Sequence, residues 1–184
     1  MSFTAAYKAD CIKALDSVDL HKVDQAIQLF EEARKEGRNI FVFGNGGSAS
    51  TASHFVCDMV KGASFNKPTR FRINALTDNL ATITAYSNDV AYDCIFAEQL
   101  KNFARPNDLV MGISGSGNSP NVLRAFEYAN SIGCKTIALT GRDGGQLGPM
   151  AQLQIHVANP HMGRIEDGHM IICHMICYYF MDKA

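Results

Sequence analysis

The 184 residues contain no tryptophan and no run of about 18 consecutive apolar residues, so no membrane-spanning helix is expected. The most apolar stretch, Met170 to Phe180, is too short to span and holds His174. It reads as a buried helix. The start of the chain lacks the basic segment of a secretory leader. Met1-Ser2-Phe3-Thr4 carries no Lys or Arg, and Asp10 interrupts the first apolar stretch. An excess of either charge is also missing. Lys+Arg number 17 and Asp+Glu 18, for a net charge of −1. That balance argues against a broad basic surface, so neither nucleic acid nor a membrane is expected as partner.

Paired cysteines are lacking too. Cys11, Cys57, Cys94, Cys134, Cys173 and Cys177 are scattered, with no Cys-x-x-Cys spacing. They read as buried free thiols of a cytoplasmic protein. Two phosphate-binding signatures are absent: the Gly-x-x-x-x-Gly-Lys-Ser/Thr loop, and Gly-x-Gly-x-x-Gly, since Ala49 stands sixth from Gly44. No repeat, low-complexity segment or long linker appears. Hydrophobic residues make up 47% and charged residues 19%, which fits one globular domain over residues 1–184 and not a disordered chain.

What is present alternates. Residues up to Glu36 show helical spacing (Ile12, Leu15, Val18; then Val23, Ile27, Phe30, Ala33) and read as a helical pair ended by Gly37. Five apolar runs follow: Asn39–Phe43, Phe71–Leu76, Leu109–Ser114, Lys135–Thr140 and Leu153–Val157. Helix-length segments separate them, at Ala49–Gly62, Asn79–Tyr86, Asp93–Ala104 and Pro120–Ile132, with Ile165–Met181 after the last. Apolar strands alternating with helices predict a five-stranded, doubly wound parallel α/β sheet covered on both faces. Ligands of such sheets bind at the carboxyl ends of the strands. There the chain places Gly44-Asn45-Gly46-Gly47-Ser48, Ser114-Gly115-Ser116-Gly117-Asn118-Ser119 and Thr140-Gly141-Arg142-Asp143-Gly144-Gly145.

The Ser114–Ser119 loop brings three hydroxyls, an amide and turn glycines, and Pro120 suits the first position of the next helix. Backbone N–H groups at that helix start suit a phosphate, although a plain Gly/Ser turn has the same look. A second group holds histidines and carboxylates. His54 and Asp58 are spaced i, i+4 on one helix face. Glu166, Asp167, His169 and His174 lie on the last helix. His174 reads either as a satisfied core histidine or as half of a site with the first pair. Such a set could bind a divalent metal or transfer protons. Helical geometry pairs Asp167 with His174, seven residues on, with Glu166 about 80° off that line.

These motifs, with Arg164-Ile165-Glu166, resemble the sugar isomerase (SIS) domain family, and within it the phosphoheptose isomerase branch. The resemblance runs over nearly the whole chain, in order. It implies a flavodoxin-like sheet, a sugar-phosphate substrate, and a homotetramer with sites at subunit interfaces. It implies a substrate site of Asn45, Gly46, Gly47, Ser48, Asp89, Ser114, Gly115, Ser116, Asn118 and Ser119, with the serines on phosphate. It implies Asp58 and His174 as the acid/base pair, and His54, Asp58, Glu166 and His174 as ligands of zinc or a similar cation. The expected reaction is aldose–ketose isomerisation of a phosphorylated sugar through an enediol(ate), with sedoheptulose 7-phosphate first among substrates. Three positions depart from the family pattern. Asp58 replaces a glutamate, Glu166 a glutamine and Gly115 a threonine. Asp58 and Glu166 keep a different sugar phosphate open. Another relative, which associates with the bacterial replication initiator, uses this fold as a protein-binding scaffold. It typically lacks the histidine matching His174, so the presence of His54 and His174 favours the enzyme.

Overall fold

The computed structural model describes residues 1–183. Five parallel strands, β1 (Asn39–Gly44), β2 (Arg72–Ala75), β3 (Leu109–Ser114), β4 (Lys135–Gly141) and β5 (Leu153–Val157), form one sheet in the order β2-β1-β3-β4-β5. The doubly wound expectation holds. The first crossover, β1 to β2, runs outward on one side, and every later strand adds on the other. The switch point therefore lies between β1 and β3, where Phe41 pairs with Val110 and Phe43 with Gly112.

The strands are apolar at consecutive positions because both faces are buried. Ile40 and Val42 enter one core; Phe41 and Phe43 enter the other. The first core packs under α1 (Phe3–Asp16), α2 (Leu20–Lys35), α3 (Gly47–Cys57) and the last helix, α8 (Met162–Asp182). The second packs under α5 (Ile95–Phe103) and α6 (Pro120–Ser131), where Phe43 stacks on Phe96 with ring centroids 4.8 Å apart. Helix α4 (Leu80–Asp89) and a short α7 (Leu147–Met150) complete the chain.

Local chemistry sets the ends. Ser2, Asp19 and Asn79 cap α1, α2 and α4 by accepting from Ala5, His21 and Thr82 N–H groups. Gly37 leaves α2 with φ of +65°, a left-handed turn that glycine adopts without strain. Sequence and structure differ in α3. The expected continuous helix over 49–62 is α-helical only to Cys57, and Asp58–Gly62 is a π-helical turn. Helix α4 also runs three residues past its expected end, and α7 was not anticipated. Of the cysteines, Cys94, Cys134, Cys173 and Cys177 are buried, but Cys57 is exposed and Cys11 only half-buried.

The fully buried histidine of α8 is His169, not His174. Its Nε2–H donates to the Thr140 carbonyl at 3.0 Å, while Nδ1 is buried without a partner. Burial lowers its pKa from 6.5 to about 4, against the opposing pull of the Thr140 carbonyl. Above pH 6.5 the ring is neutral both folded and unfolded, and its contribution to stability is intact. As pH falls from 6.5 towards 4, the unfolded chain takes up a proton that the folded chain refuses, and stability is lost. Urea denaturation should show wild type losing roughly 2–3 kcal/mol more than His169→Gln between pH 7.5 and 4.5. Equal losses in the two proteins would remove His169 as the cause.

Candidate functional site

Two groups of residues form at the carboxyl edge and its flank, and α8 touches both. The first straddles the switch point. The loop after β1 is tied to the start of α6 by a reciprocal amide pair: Asn45 Nδ2 donates to Asn121 Oδ1 at 2.8 Å, and Asn121 Nδ2 donates to Asn45 Oδ1 at 2.9 Å. Tyr92 Oη also donates to Asn45 Oδ1, at 2.8 Å. Neither Asn121 nor Tyr92 stood out in the sequence. An asparagine just after Ser119-Pro120 was the available signal for the first.

The serine loop is half committed and half free. Ser114, 4% exposed, accepts the Gly117 N–H and lies 3.3 Å from Ser119, oxygen to oxygen. Ser116 accepts the Asn118 N–H, and Asn118 Oδ1 accepts the Gln146 N–H. Ser119 precedes α6 but its hydroxyl does not cap the helix; it meets the Ser114 hydroxyl beside the helix start. A cleft of about 690 Å³ opens beside Ser116 and Asn118, bordered by Arg142, Asp143 and Asn159. Arg142 sits at φ +52° and brings a guanidinium to this edge that the serine motif itself lacks.

Helix α8 closes over these loops because glycines make room. A Cβ on Gly115 would come 2.5 Å from Met162 Sδ, and one on Gly141 would come 2.5 Å from Ile165 Cγ2. A Cβ on Gly47 would meet the Glu166 carboxylate at 2.6 Å. Gly115, the departure from threonine, is therefore matched by Met162 filling the space. Glu166 lies at the first turn of α3, where a carboxylate is electrostatically favoured.

The second group lies where α3 gives way to its π turn. His54 Nε2 is 3.2 Å from Asp58 Oδ2, as the i, i+4 spacing predicts. His174 Nε2 is 3.6 Å from the same oxygen and 3.4 Å from His54 Nε2. The three ligand atoms lie within 4.8 Å of one another. His174 is 40% exposed, so it leaves the apolar run of α8 to face α3 and is no core histidine. Behind them Cys173 and Cys177 are buried, and burial, with the Asp58 charge adding to it, pushes the Cys177 thiol up to about 12. Both remain neutral thiols.

Two expectations are corrected, Glu166 as a ligand beside the histidines and Asp167 as the partner of His174. Glu166 is not in this cluster. It precedes His174 by eight residues, about 12 Å along the helix, and points to Gly47. Asp167 does not pair with His174. It accepts from Tyr7 Oη at 3.0 Å and faces Cys11, which pins α1 to α8 and pushes the Tyr7 phenol up to about 12. Asp89, expected near the sugar, is exposed at the end of α4, accepts from Asn88 and lines a cavity there.

With this geometry established, comparison with known proteins is direct. The SIS domain model matches residues 5–141. A phosphoheptose isomerase of Citrifermentans bemidjiense is 41% identical over 175 residues, covering 94% of this chain and 91% of its own. A probable phosphoheptose isomerase of Thermoplasma volcanium is 40% identical over 166 residues, covering 90% and 84%. The chain belongs to the SIS domain family, among the phosphoheptose isomerases. Solved phosphoheptose isomerases from Neisseria gonorrhoeae and Francisella tularensis superpose with TM-scores of 0.89 and 0.91. They are 32% and 30% identical, covering 96% and 98% of this chain and 96% and 97% of theirs.

The Gly115–Met162 fit is testable by a double-mutant cycle. Gly115→Ala should cost about 1–3 kcal/mol by overpacking, and adding Met162→Ala should recover most of that loss. Additive effects in urea denaturation would show that the two positions do not share the space.

Proposed function

We propose that this chain interconverts sedoheptulose 7-phosphate and an aldoheptose 7-phosphate by proton transfer through an enediol(ate). The observation that carries the reading is the convergence of His54 and Asp58 from α3 with His174 from α8, on a chain of this family. The relatives' names supply the substrate, and the serine loop supplies a place for its phosphate.

In this reading the phosphate lies against Ser114, Ser116 and Ser119 and the start of α6, with Asn45, Gly46, Gly47, Ser48, Gly115 and Asn118 shaping the surrounding loop. Holding the phosphate fixes the far end of the sugar and orients its reacting carbons. Asp58 and His174 share the proton work. One removes the proton from C1 of the ketose, or from C2 of the aldose in reverse. The other serves the oxygens as the proton returns to the neighbouring carbon. Glu166 and Asp89 remain candidates for contacts to the sugar end.

The cluster also fits a metal. Two imidazole nitrogens and a carboxylate oxygen face one another at 3.2–3.6 Å. Two histidines and a carboxylate suit zinc, with coordination positions left for substrate. A bound ion would polarise the substrate oxygens as a Lewis acid. We further place the enzyme in the cytoplasm, where its six cysteines stay as thiols, and read it as a homotetramer. Exposed Phe65, Leu80, Val90, Met175 and Tyr178 give other copies apolar surface to cover.

In a coupled assay on sedoheptulose 7-phosphate, His174→Ala and Asp58→Asn should each lower kcat by about 10²–10⁴-fold with the fold intact by circular dichroism. Wild type without turnover, or full activity in His174→Ala, would sink the assignment. Dialysis against a chelator should abolish most activity, and stoichiometric zinc should restore it. Activity indifferent to chelation, with no metal found by elemental analysis, would leave the acid/base pair to act alone.

A further inference from the structure

A groove of about 610 Å³ opens away from both groups, along the exposed side of edge strand β2 and the amino ends of β1 and β3. Nothing in the isomerase reading uses it. Its polar wall is tied together by one buried carboxylate. Asp108, 3% exposed, accepts from the Asn39 N–H at 2.9 Å, Asn39 Nδ2 at 3.2 Å and the Arg105 N–H at 2.9 Å. Asn39 Oδ1 in turn accepts from Arg72 Nε at 3.2 Å. The carboxylate is thus occupied by three N–H donors; through Asn39 the bonds anchor the Arg72 guanidinium, and Arg105, held by its backbone N–H, borders the same groove. The other acid of the groove, Glu36, is paired with Arg38 at 3.1 Å. The Arg72 Nη atoms and the Arg105 guanidinium, on exposed side chains, remain to bind a ligand. Guanidinium forks suit the oxygens of a phosphate.

Other lining residues bring different chemistry. Phe103 is 58% exposed and borders both this groove and an adjoining cavity of about 390 Å³. Beside it Gln99, 4% exposed, spends both N–H groups on the Leu76 and Ile95 carbonyls and keeps Oε1 as an acceptor. Asn79 caps α4 through Oδ1 and keeps its amide as a donor. An aromatic face with one acceptor and one donor suits a flat heterocycle with polar edges.

We propose that this groove is a second ligand site, taking a nucleoside phosphate with its phosphates on Arg72 and Arg105 and its base on Phe103. The site does not depend on the isomerase reading, and its test is a binding measurement. ADP is the probe for calorimetry, with pyrophosphate and adenosine as the phosphate-only and base-only arms. Wild type should bind ADP saturably, and more tightly than either arm. Arg72→Ala and Arg105→Ala should each weaken ADP at least about tenfold, as loss of a hydrogen bond to a charged group predicts. Phe103→Ala should reduce ADP to the affinity of pyrophosphate. His174→Ala and saturating sedoheptulose 7-phosphate should leave ADP binding unchanged. No heat at millimolar ADP would overturn the proposal. So would equal affinity in the arginine variants, or displacement of ADP by the sugar phosphate. A changed oligomeric mass in Arg72→Ala would also overturn it, by showing the groove to be a contact between copies.

Discussion

The seating of α8 on the carboxyl ends of the strands is the constraint on which the rest depends. A helix can come this close only where the strand-end residues have no side chain. Gly115 and Gly141 supply that, and Met162 and Ile165 take the space. The fit is tight enough that one added carbon on either glycine meets a side chain at 2.5 Å. From the outside, α1 holds the same segment. Tyr7 donates to Asp167, and Arg164 pairs with Asp10 at 2.9 Å while lying over the Tyr7 ring. The first turns of α8 are therefore gripped from both sides, which fixes where every later residue of that helix points.

One rigid helix then serves two places. Its start presents Glu166 to Gly47 near the loops, and its middle presents His174 to α3. About 12 Å of helix axis separates them. Helix α3 has the same double duty in the opposite sense, starting at the glycine loop and ending at His54 and Asp58. The two helices are packed against each other through Phe55, Ile172, Ile176 and their neighbours in one core. A shift in their packing moves the loop end and the histidine end together. In the proposed function, substrate positioning and proton transfer are set by the same interface.

Much of this was legible in the sequence. The strands could be read because burial on both faces makes them apolar at consecutive positions. The loops could be read because glycine and serine gather where strands end. The i, i+4 pair of His54 and Asp58 followed from helical pitch alone. The failures have physical causes. Asp167 was matched to His174 from spacing within α8, but partners on α1 and α3, far apart in sequence, decided both contacts. The resemblance groups Glu166 with the histidines, and the axial distance along a straight helix separates them. The π turn at Asp58 gave no periodic signal, since a five-residue widening is lost within a helical pattern. The amide pair of Asn45 and Asn121 spans 76 residues and needed the sheet order to be seen.

The aspartate at position 58 shows how partner side chains can offset a shorter acid. An aspartate carboxylate lies about 1.5 Å nearer the backbone than that of a glutamate, one carbon–carbon bond. Yet Asp58 Oδ2 is within 3.6 Å of both His54 and His174. It sits at the junction where α3 passes into the π turn. The wider turn follows Asp58 and does not disturb the α-helical turn behind it, so the i, i+4 contact to His54 is kept. His174 reaches the same oxygen from α8, which the glycine seats hold in place. The shorter acid is thus reached by its partners and does not have to reach for them. The Gly115–Met162 exchange follows the same logic on the loop side, where a missing side chain in the loop after β3 is answered by a long one on α8. At both departures the compensation comes from a neighbouring element, and α8 takes part in each.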